Sequence, residues 1–481
     1  MDDSLKKRTG IALFWSFLDK GGQQLIQVII LYVMARLVDK SEFGAVAVLS
    51  IFSVIANLVQ DSGFSSALIR KKEVSQTEYS SVFYFNISIS VCIYLIFFFS
   101  APFISYIYEN ESLTNLSRFI FLAFVFNAFG AIQYVHLVRN MDFRKNTIIN
   151  VIAGIVSGTV AIIMASQGIG AWSLAVQIVL QMFIRILLLW IIIHWLPSRE
   201  FSASHLKSMA PYSLKLTATA VLNQVCENIY SNIIGKFFSL GQAGLYSQGK
   251  KFNTISQSII SDGIKGAAFP MLAKVNDDKE RQKRAFRKVV TITSFICFPA
   301  TMLLIILSST IIDFVLSEEW AAAAPILQVV AIGTIFYPLR TLISPLLQAL
   351  GKSGLIFKLD FAHNILILLS IPLAMQWGIM GLLWGFGIVN ILFFIVEMGI
   401  ACKQINYSVR EIFADIVPYL IVAAISFLPG LFFEGRINAH MYIISAFQAI
   451  IGGALYLFII KLSGSVIIKE CTELFRHFLK K

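Results

Sequence analysis

Lys250 and Lys251 stand side by side in "GLYSQGKKFNTISQSIISDGIKGAAFP", residues 244–270, a stretch long enough to cross a bilayer. Ammonium groups in a low-dielectric setting suit phosphate or carboxylate ligands. In the same stretch Tyr246, Lys250, Thr254, Ser258 and Asp262 recur every four residues, which sets them along one face of a helix. Lys215, Thr219, Asn223, Glu227 and Ser231 form a second stripe of the same period. A third runs through Ser16, Lys20, Gln23 and Gln27, with Asp19 and Gln24 beside it. A charge at the centre of a membrane helix costs about 2.5–3.5 kcal/mol on insertion scales, so these faces turn to protein or water. One at a time, the residues also fit interhelical hydrogen bonds and ion pairs, such as Glu227 with Lys250. Taken together, the stripes imply a water-filled cavity.

Arg340 lies between Pro338 and Pro345, where a kinked helix could aim it inward; an interfacial arginine snorkelling outward is the other reading. The expected ligands of an anionic, hydroxylated substrate are therefore Lys20, Gln23, Gln27, Lys215, Asn223, Glu227, Tyr246, Lys250, Lys251 and Arg340. Asp61, Glu227, Asp262, Asp360 and Glu397 are the candidates for coupling to H+ or Na+. Asp61 and Asp262 also fit a structural role at helix ends. His136 and His363 fall within apolar runs but have no second His or Cys at metal-ligand spacing, so they read as packing or hydrogen-bonding residues. The five cysteines are scattered and imply neither a disulfide framework nor a metal site. No cofactor is expected beyond the coupling ion.

The elements that must position these groups are transmembrane helices. The chain has 481 residues, 57% hydrophobic and 14% charged, with a mean hydropathy of +0.77. Soluble domains carry about 25% charged residues. Each crossing needs about 20 mostly apolar residues. Fourteen spans fit, near 11–35, 43–69, 81–107, 118–138, 147–167, 171–195, 212–235, 243–270, 289–315, 322–349, 355–376, 379–401, 412–433 and 440–461. The expected fold is all-α and polytopic.

The net charge of +12 could suggest a polyanion, but orientation explains it. With the N-terminus cytoplasmic, external loops hold only Arg36, Lys40, Arg118, Lys236 and Arg436. Lys20, Arg185, Lys215, Lys250, Lys251, Lys265 and Arg340 lie within spans, and every other base falls on the cytoplasmic side, as the positive-inside rule requires. Both termini are then cytoplasmic and no nucleic-acid partner is needed. The N-terminal segment runs into Asp19 and Lys20 without a cleavage site, unlike a signal peptide. The longest polar stretch is 273–288, so no soluble catalytic domain fits.

An internal repeat runs at an offset of 200. Gln23 faces Asn223, Gln24 faces Gln224, Gln27 faces Glu227, Arg36 faces Lys236 and Gly44 faces Gly244. Asp61 meets Asp262 one residue out of step, and "QGIGAWSLA" at 167–175 resembles "WGIMGLLWG" at 377–385. The order of the matches predicts two homologous six-helix lobes around a central cavity, 1–200 and 201–402, running the same way through the membrane. Residues 403–481 then hold two extra helices and a tail. In that tail Ile467, Cys471, Leu474, Phe475 and Phe478 share a helical face, as in an interfacial or a packing helix.

"DSGFSSALIRKK" at 61–72, "RNMDFRKNTIINVIAG" at 139–154, "GIGAWSLAVQ" at 168–177, "IGKFFSLGQAGLYSQGKKF" at 234–252 and "AAFPMLAKV" at 267–275 resemble the polysaccharide transporter family. These are Wzx-like exporters within the multidrug/oligosaccharidyl-lipid/polysaccharide flippase superfamily. The resemblance spans about residues 10–400 and is most specific at "DSGFSSALI" and "GLYSQ"; "QGKK" departs from the family pattern after "YS". It implies a bacterial inner-membrane flippase, not an enzyme. The implied substrate is an undecaprenyl-diphosphate-linked oligosaccharide, a repeat unit of O-antigen, capsule or exopolysaccharide, carried to the outer leaflet by alternating access. The implied partners are the lipid-linked oligosaccharide, membrane lipids and the polysaccharide polymerase and chain-length machinery. The rivals are a drug/cation antiporter or a lipid II flippase of the same superfamily. The antiporter would favour an acidic, aromatic cavity, against which the lysines count. A membrane enzyme would need large external loops or an in-membrane histidine with acidic partners.

Overall fold

The computed structural model describes residues 3–61, 64–71, 73–140, 142–273, 278–427 and 441–463. Among them the regular structure is helical. The sequence divides into two compact units, one ending at Ser247 and one starting at Gln248.

The first unit contains α1 (Asp3–Met34), α2 (Lys40–Asp61), α3 (Phe64–Arg70), α4 (Gln76–Tyr108), α5 (Ser112–Ile120), α6 (Leu122–Arg139), α7 (Phe143–Ser166), α8 (Ala171–Ile192), α9 (Ala203–Phe237) and the first turns of α10 (Leu240–Ala273). The second holds the rest of α10, α11 (Lys279–Ile306), α12 (Ser308–Val315), α13 (Ala323–Gly333), α14 (Tyr337–Arg340), α15 (Ile343–Ala349), α16 (Ser353–Ala374), α17 (Gly378–Lys403), α18 (Val409–Phe427) and α19 (Met441–Leu462). Over the described residues, each of the fourteen expected spans falls on one of these helices or on a broken run of them. The fourth is α5–α6, the ninth α11–α12 and the tenth α13–α15. The tail positions Ile467, Cys471, Leu474, Phe475 and Phe478 lie outside the described residues.

Among the described residues, eight helical stretches are long and apolar enough to cross a membrane. Their outward faces carry large apolar side chains such as Phe99, Phe103, Leu369 and Ile443, as lipid requires. The polar helices α1, α9 and α10 are not among the eight. Their polar faces need partners in protein or water, because lipid offers none.

The repeat has structural counterparts. Asp39 and Ser239 open α2 and α10 at equivalent places. The Asp39 amide donates to Glu42 Oε2 (3.1 Å), and Ser239 Oγ accepts from the Gln242 amide (3.1 Å), the two halves of a capping box. Gly168 and Gly378, paired in the "QGIG" and "WGIM" segments, both take the left-handed backbone, at φ +77° and +72°, where a side chain would be strained. In the first unit Gly44 and Gly244 pack reciprocally. A Cβ on Gly44 would lie 1.7 Å from Leu240 O, and one on Gly244 would lie 2.1 Å from Lys40 O. Lys40 and Leu240 are themselves 200 apart, so this helix crossing is locally two-fold. Nearby, Tyr108 OH donates to Asn232 Oδ1 (2.7 Å).

In the second unit a buried apolar cluster includes Phe286, Phe298, Leu346, Phe394, Met398 and Tyr419. Residues 279–288, expected within a polar loop, are helical instead. Asp278 caps α11 by accepting from the Glu280 and Arg281 amides (2.9 and 3.1 Å), and the bases then find acids on α18. Arg287 makes a bidentate pair with Asp415 (2.6 and 2.8 Å), while Tyr407 OH donates to the same carboxylate (2.6 Å). Lys283 pairs with Glu411 (2.9 Å). The Ser408 amide, then Lys283 and the Ser408 hydroxyl, hold the Glu411 carboxyl down at about 2 from its usual 4.5. A depressed carboxylate stabilises the fold above the unfolded value, and this is lost as pH falls from 4.5 toward 2. Glu411→Gln should therefore lower the melting temperature at pH 7, by an amount that shrinks at pH 3. Melting curves of both proteins at the two pH values test this; a difference of the same size at pH 3 rules it out.

Candidate functional site

Among the described residues, three polar clusters hold or adjoin the side chains expected at the site, one in the first unit and two in the second. In the second unit the helix carrying Arg340 is interrupted twice, between α13 and α14 and again before α15. Pro338 sits in the first turn of α14 and Pro345 in α15. Each lacks the amide hydrogen a continuous helix would use. The short turn brings Arg340 against α16 and α17. Arg340 Nε donates to Glu397 Oε2 (2.7 Å) and Nη2 to Asp360 Oδ1 (3.5 Å). Arg340 Nη1 lies 3.4 Å from His363 Nε2, which is also 3.2 Å from Asn390 Oδ1. Glu397 is nearly fully buried and Asp360 is half-buried. Two carboxylates thus share one guanidinium, leaving a formal excess of one negative charge. The structure brings together Arg340, expected as a substrate ligand, and Asp360 and Glu397, expected as ion sites.

The same unit anchors α10. Asn253 Nδ2 donates to Thr334 Oγ1 (3.0 Å). Gln257 Nε2 donates to the Thr334 carbonyl and hydroxyl (2.9 and 2.6 Å). These amides lie one turn apart and fix α10 to the first break of the Arg340 helix. Beside them Lys250, Lys251 and Ser258 are half-buried and Thr254 is exposed. Tyr246, from the same expected stripe, belongs to the first unit. It is 2% exposed, with its ring 6.5 Å from that of Tyr230. Asp262 is on α10, but its side chain lies outside the described residues, as do those of Asp61 on α2 and Lys215 on α9.

In the first unit, α1, α7 and α8 converge on Asp19. Its carboxylate accepts from Gln23 Nε2 (2.8 Å), Asn146 Nδ2 (2.8 Å) and Asn150 Nδ2 (3.2 Å). A small pocket of about 10 Å³, room for about one water, lies beside it, lined by Gln23, Gln27, Asn150, Gln177 and Gln181 with Ile26, Ile30 and Gly154. Of the expected ligands, Gln23 and Gln27 line this pocket. Lys20 is exposed, Asn223 is half-buried on α9 and Glu227 is exposed there.

The profile of the family described as "Polysaccharide biosynthesis protein" matches residues 33–325. The chain belongs to the polysaccharide biosynthesis protein family. This family member is 26% identical over 434 residues to the teichuronic acid biosynthesis protein TuaB of Bacillus subtilis, covering 88% of this chain and 89% of that one. It is 26% identical over 346 residues to the succinoglycan biosynthesis transport protein ExoT of Rhizobium meliloti, covering 71% and 69%. Among solved structures, the lipid II flippase MurJ in an inward closed conformation matches with a TM-score of 0.75 and 16% identity, over 93% of this chain and 97% of that one. That likeness shows a shared fold.

Four residues of the first-unit pocket and its carboxylate shell escaped the sequence analysis: Asn146, Asn150, Gln177 and Gln181. Their signal was present. Asn146, Asn150 and Gly154 recur every four residues on α7, and so do Gln177, Gln181 and Arg185 on α8. Charge marked the stripes of α1, α9 and α10, whereas the α7 stripe has none and the α8 stripe only Arg185.

Proposed function

We propose that this protein is a bacterial inner-membrane flippase, both termini cytoplasmic, that carries undecaprenyl-diphosphate-linked oligosaccharide repeat units from the cytoplasmic to the outer leaflet. The observation that carries this reading is the family itself: a helical chain with long apolar spans belongs to the polysaccharide biosynthesis proteins. Alternating access between two homologous lobes would move the headgroup while the prenyl tail stays in lipid. Lys250 and Lys251 are assigned to the diphosphate, because ammonium groups bind phosphate oxygens by charge-assisted hydrogen bonds. The uncharged polar residues are assigned to sugar hydroxyls. The excess negative charge of Arg340, Asp360 and Glu397 is assigned to the coupling ion, H+ or Na+. The polymerase and chain-length machinery would take over the product.

The test is a deletion strain complemented with wild type or with Lys250→Ala/Lys251→Ala. Loss of surface polysaccharide with lipid-linked repeats held in the cytoplasmic leaflet is expected on deletion. The double variant should export at least about tenfold less at equal protein level, as removal of two charge-assisted contacts implies. Normal polysaccharide with raised drug sensitivity on deletion would replace this reading by the antiporter.

A further inference from the structure

The first turns of α11 carry Lys279, Arg281, Lys283, Arg284, Arg287 and Lys288, and these bases divide between two faces. Lys283 and Arg287 turn to α18, where Lys283 pairs with Glu411 (2.9 Å) and Arg287 with Asp415 (2.6 Å). Lys279, Arg281, Arg284 and Lys288 are exposed instead. Asp278 and Glu280 are the acids beside them in the chain. Arg281 Nε lies 3.2 Å from Asp278 Oδ2, but the two side chains are 70% and 48% exposed, so water screens that pair. Arg284 Nε donates to the Glu280 carbonyl (3.4 Å), which uses one of its five N–H donors.

Every fourth residue after Arg284 gives Lys288, Ile292 and Ile296, a single row along the helix surface. Ile296 is 40% exposed. The row thus passes from bases to an exposed aliphatic side chain, the order in which a lipid presents phosphate and acyl chain. The axial distances agree. Lys288 adjoins Val289, where the expected span starts, and Arg284 stands about 8 Å out from Val289 along the axis. The headgroup layer is about 5–8 Å thick on each side of a bilayer. Arg281, a turn beyond, lies within a Debye length of about 8 Å of that layer.

These features discriminate among partners. Orientation in the membrane calls for bases on this side, but not for one set neutralised by α18 and another set outward. An acidic soluble protein would have no use for the aliphatic continuation of the row. We infer that the outward face of α11 is a docking surface for the headgroups of anionic phospholipids, with Arg284 and Lys288 on the phosphates and Arg281 adding to the attraction. With the sidedness proposed above, the lipids belong to the cytoplasmic leaflet, whose surface is negative. Resident lipid, not transported lipid, is the partner, and binding it requires no transport.

The experiment titrates delipidated full-length protein with phosphatidylglycerol, an anionic probe, and with phosphatidylcholine, a zwitterionic one. Native mass spectrometry reads the affinity for the first lipid bound. The wild type should prefer phosphatidylglycerol. In Arg281→Gln/Arg284→Gln/Lys288→Gln, affinity for phosphatidylglycerol should fall about tenfold or more. Affinity for phosphatidylcholine should stay within about twofold, which shows that the variant is folded. Lys352→Gln/Lys358→Gln/Lys403→Gln removes the same charge from three other exposed bases of the second unit and should keep the wild-type preference. A wild type without preference overturns the inference, and so does an α11 variant that retains it. Equal losses in the two triple variants also overturn it, because net charge and not this row would then set the affinity. If the α11 variant loses both lipids, Arg284→Gln alone decides: a selective loss of phosphatidylglycerol supports the surface, and its absence overturns it.

Discussion

Arg340→Ala is expected to be among the most damaging single substitutions in the second unit. It removes the one guanidinium held by Glu397 at 2.7 Å and Asp360 at 3.5 Å and leaves two carboxylates facing each other without a counter-charge. Removing one partner of a buried pair costs about 3–5 kcal/mol, because the desolvated charge that remains has no compensation. A loss of that size should appear as a melting temperature lower by many degrees and as reduced folded yield. The charge logic makes a sharper claim. Adding Glu397→Gln to Arg340→Ala should raise stability above that of Arg340→Ala alone, since the deepest uncompensated carboxylate is gone. Thermal melting of the two variants beside wild type measures both effects. Arg340→Ala melting with wild type, or the double variant melting below the single, would show that the cluster is not held by its charges.

Gly44→Ala and Gly244→Ala are expected to be nearly as severe, for a steric reason. Each added methyl would fall within about 2 Å of a backbone carbonyl, Leu240 O in one case and Lys40 O in the other. Backbone cannot rotate away as a side chain can, so the two helices must part. Overpacking of this kind costs about 1–3 kcal/mol. Helix pairs in lipid rely on close approach of small residues, since lipid supplies no hydrophobic drive to hold them. The reciprocal geometry adds two expectations. The single variants should lose similar amounts of stability, because each meets the mirror of the other's obstacle. The double variant should lose clearly less than the two losses combined, because once the helices have separated the second methyl finds room. A melting cycle over the four proteins tests this; additive losses would mean that the two glycines do not share one crossing.

The glycine pair was legible early as a repeat match, Gly44 with Gly244, yet nothing in the sequence said that the two would touch. The Arg340 cluster was half legible. Pro338 and Pro345 foretold the broken helix, and Asp360 and Glu397 were marked as candidates for ion coupling. That they would meet Arg340 itself was not readable, since Asp360 lies 20 positions away and Glu397 57. Tyr246 shows the opposite failure. The four-residue stripe set it with Lys250, but helix packing buries it beside Tyr230 in the first unit, while Lys250 belongs to the second. The Asp19 shell was missed because two of its three amides come from α7, more than a hundred residues on.

Hydropathy, charge asymmetry and the repeat were enough to establish a polytopic helical protein, its spans and its polar helix faces. Those properties follow from the bilayer, which acts on each helix separately and so leaves its mark in local sequence. Which polar face meets which was decided only by the packed tertiary structure. A period of four records the direction in which a side chain leaves its own helix, and it carries no information about the helix on the other side. The partners of Asp19, Arg340 and Gly44 are therefore properties of the assembled fold.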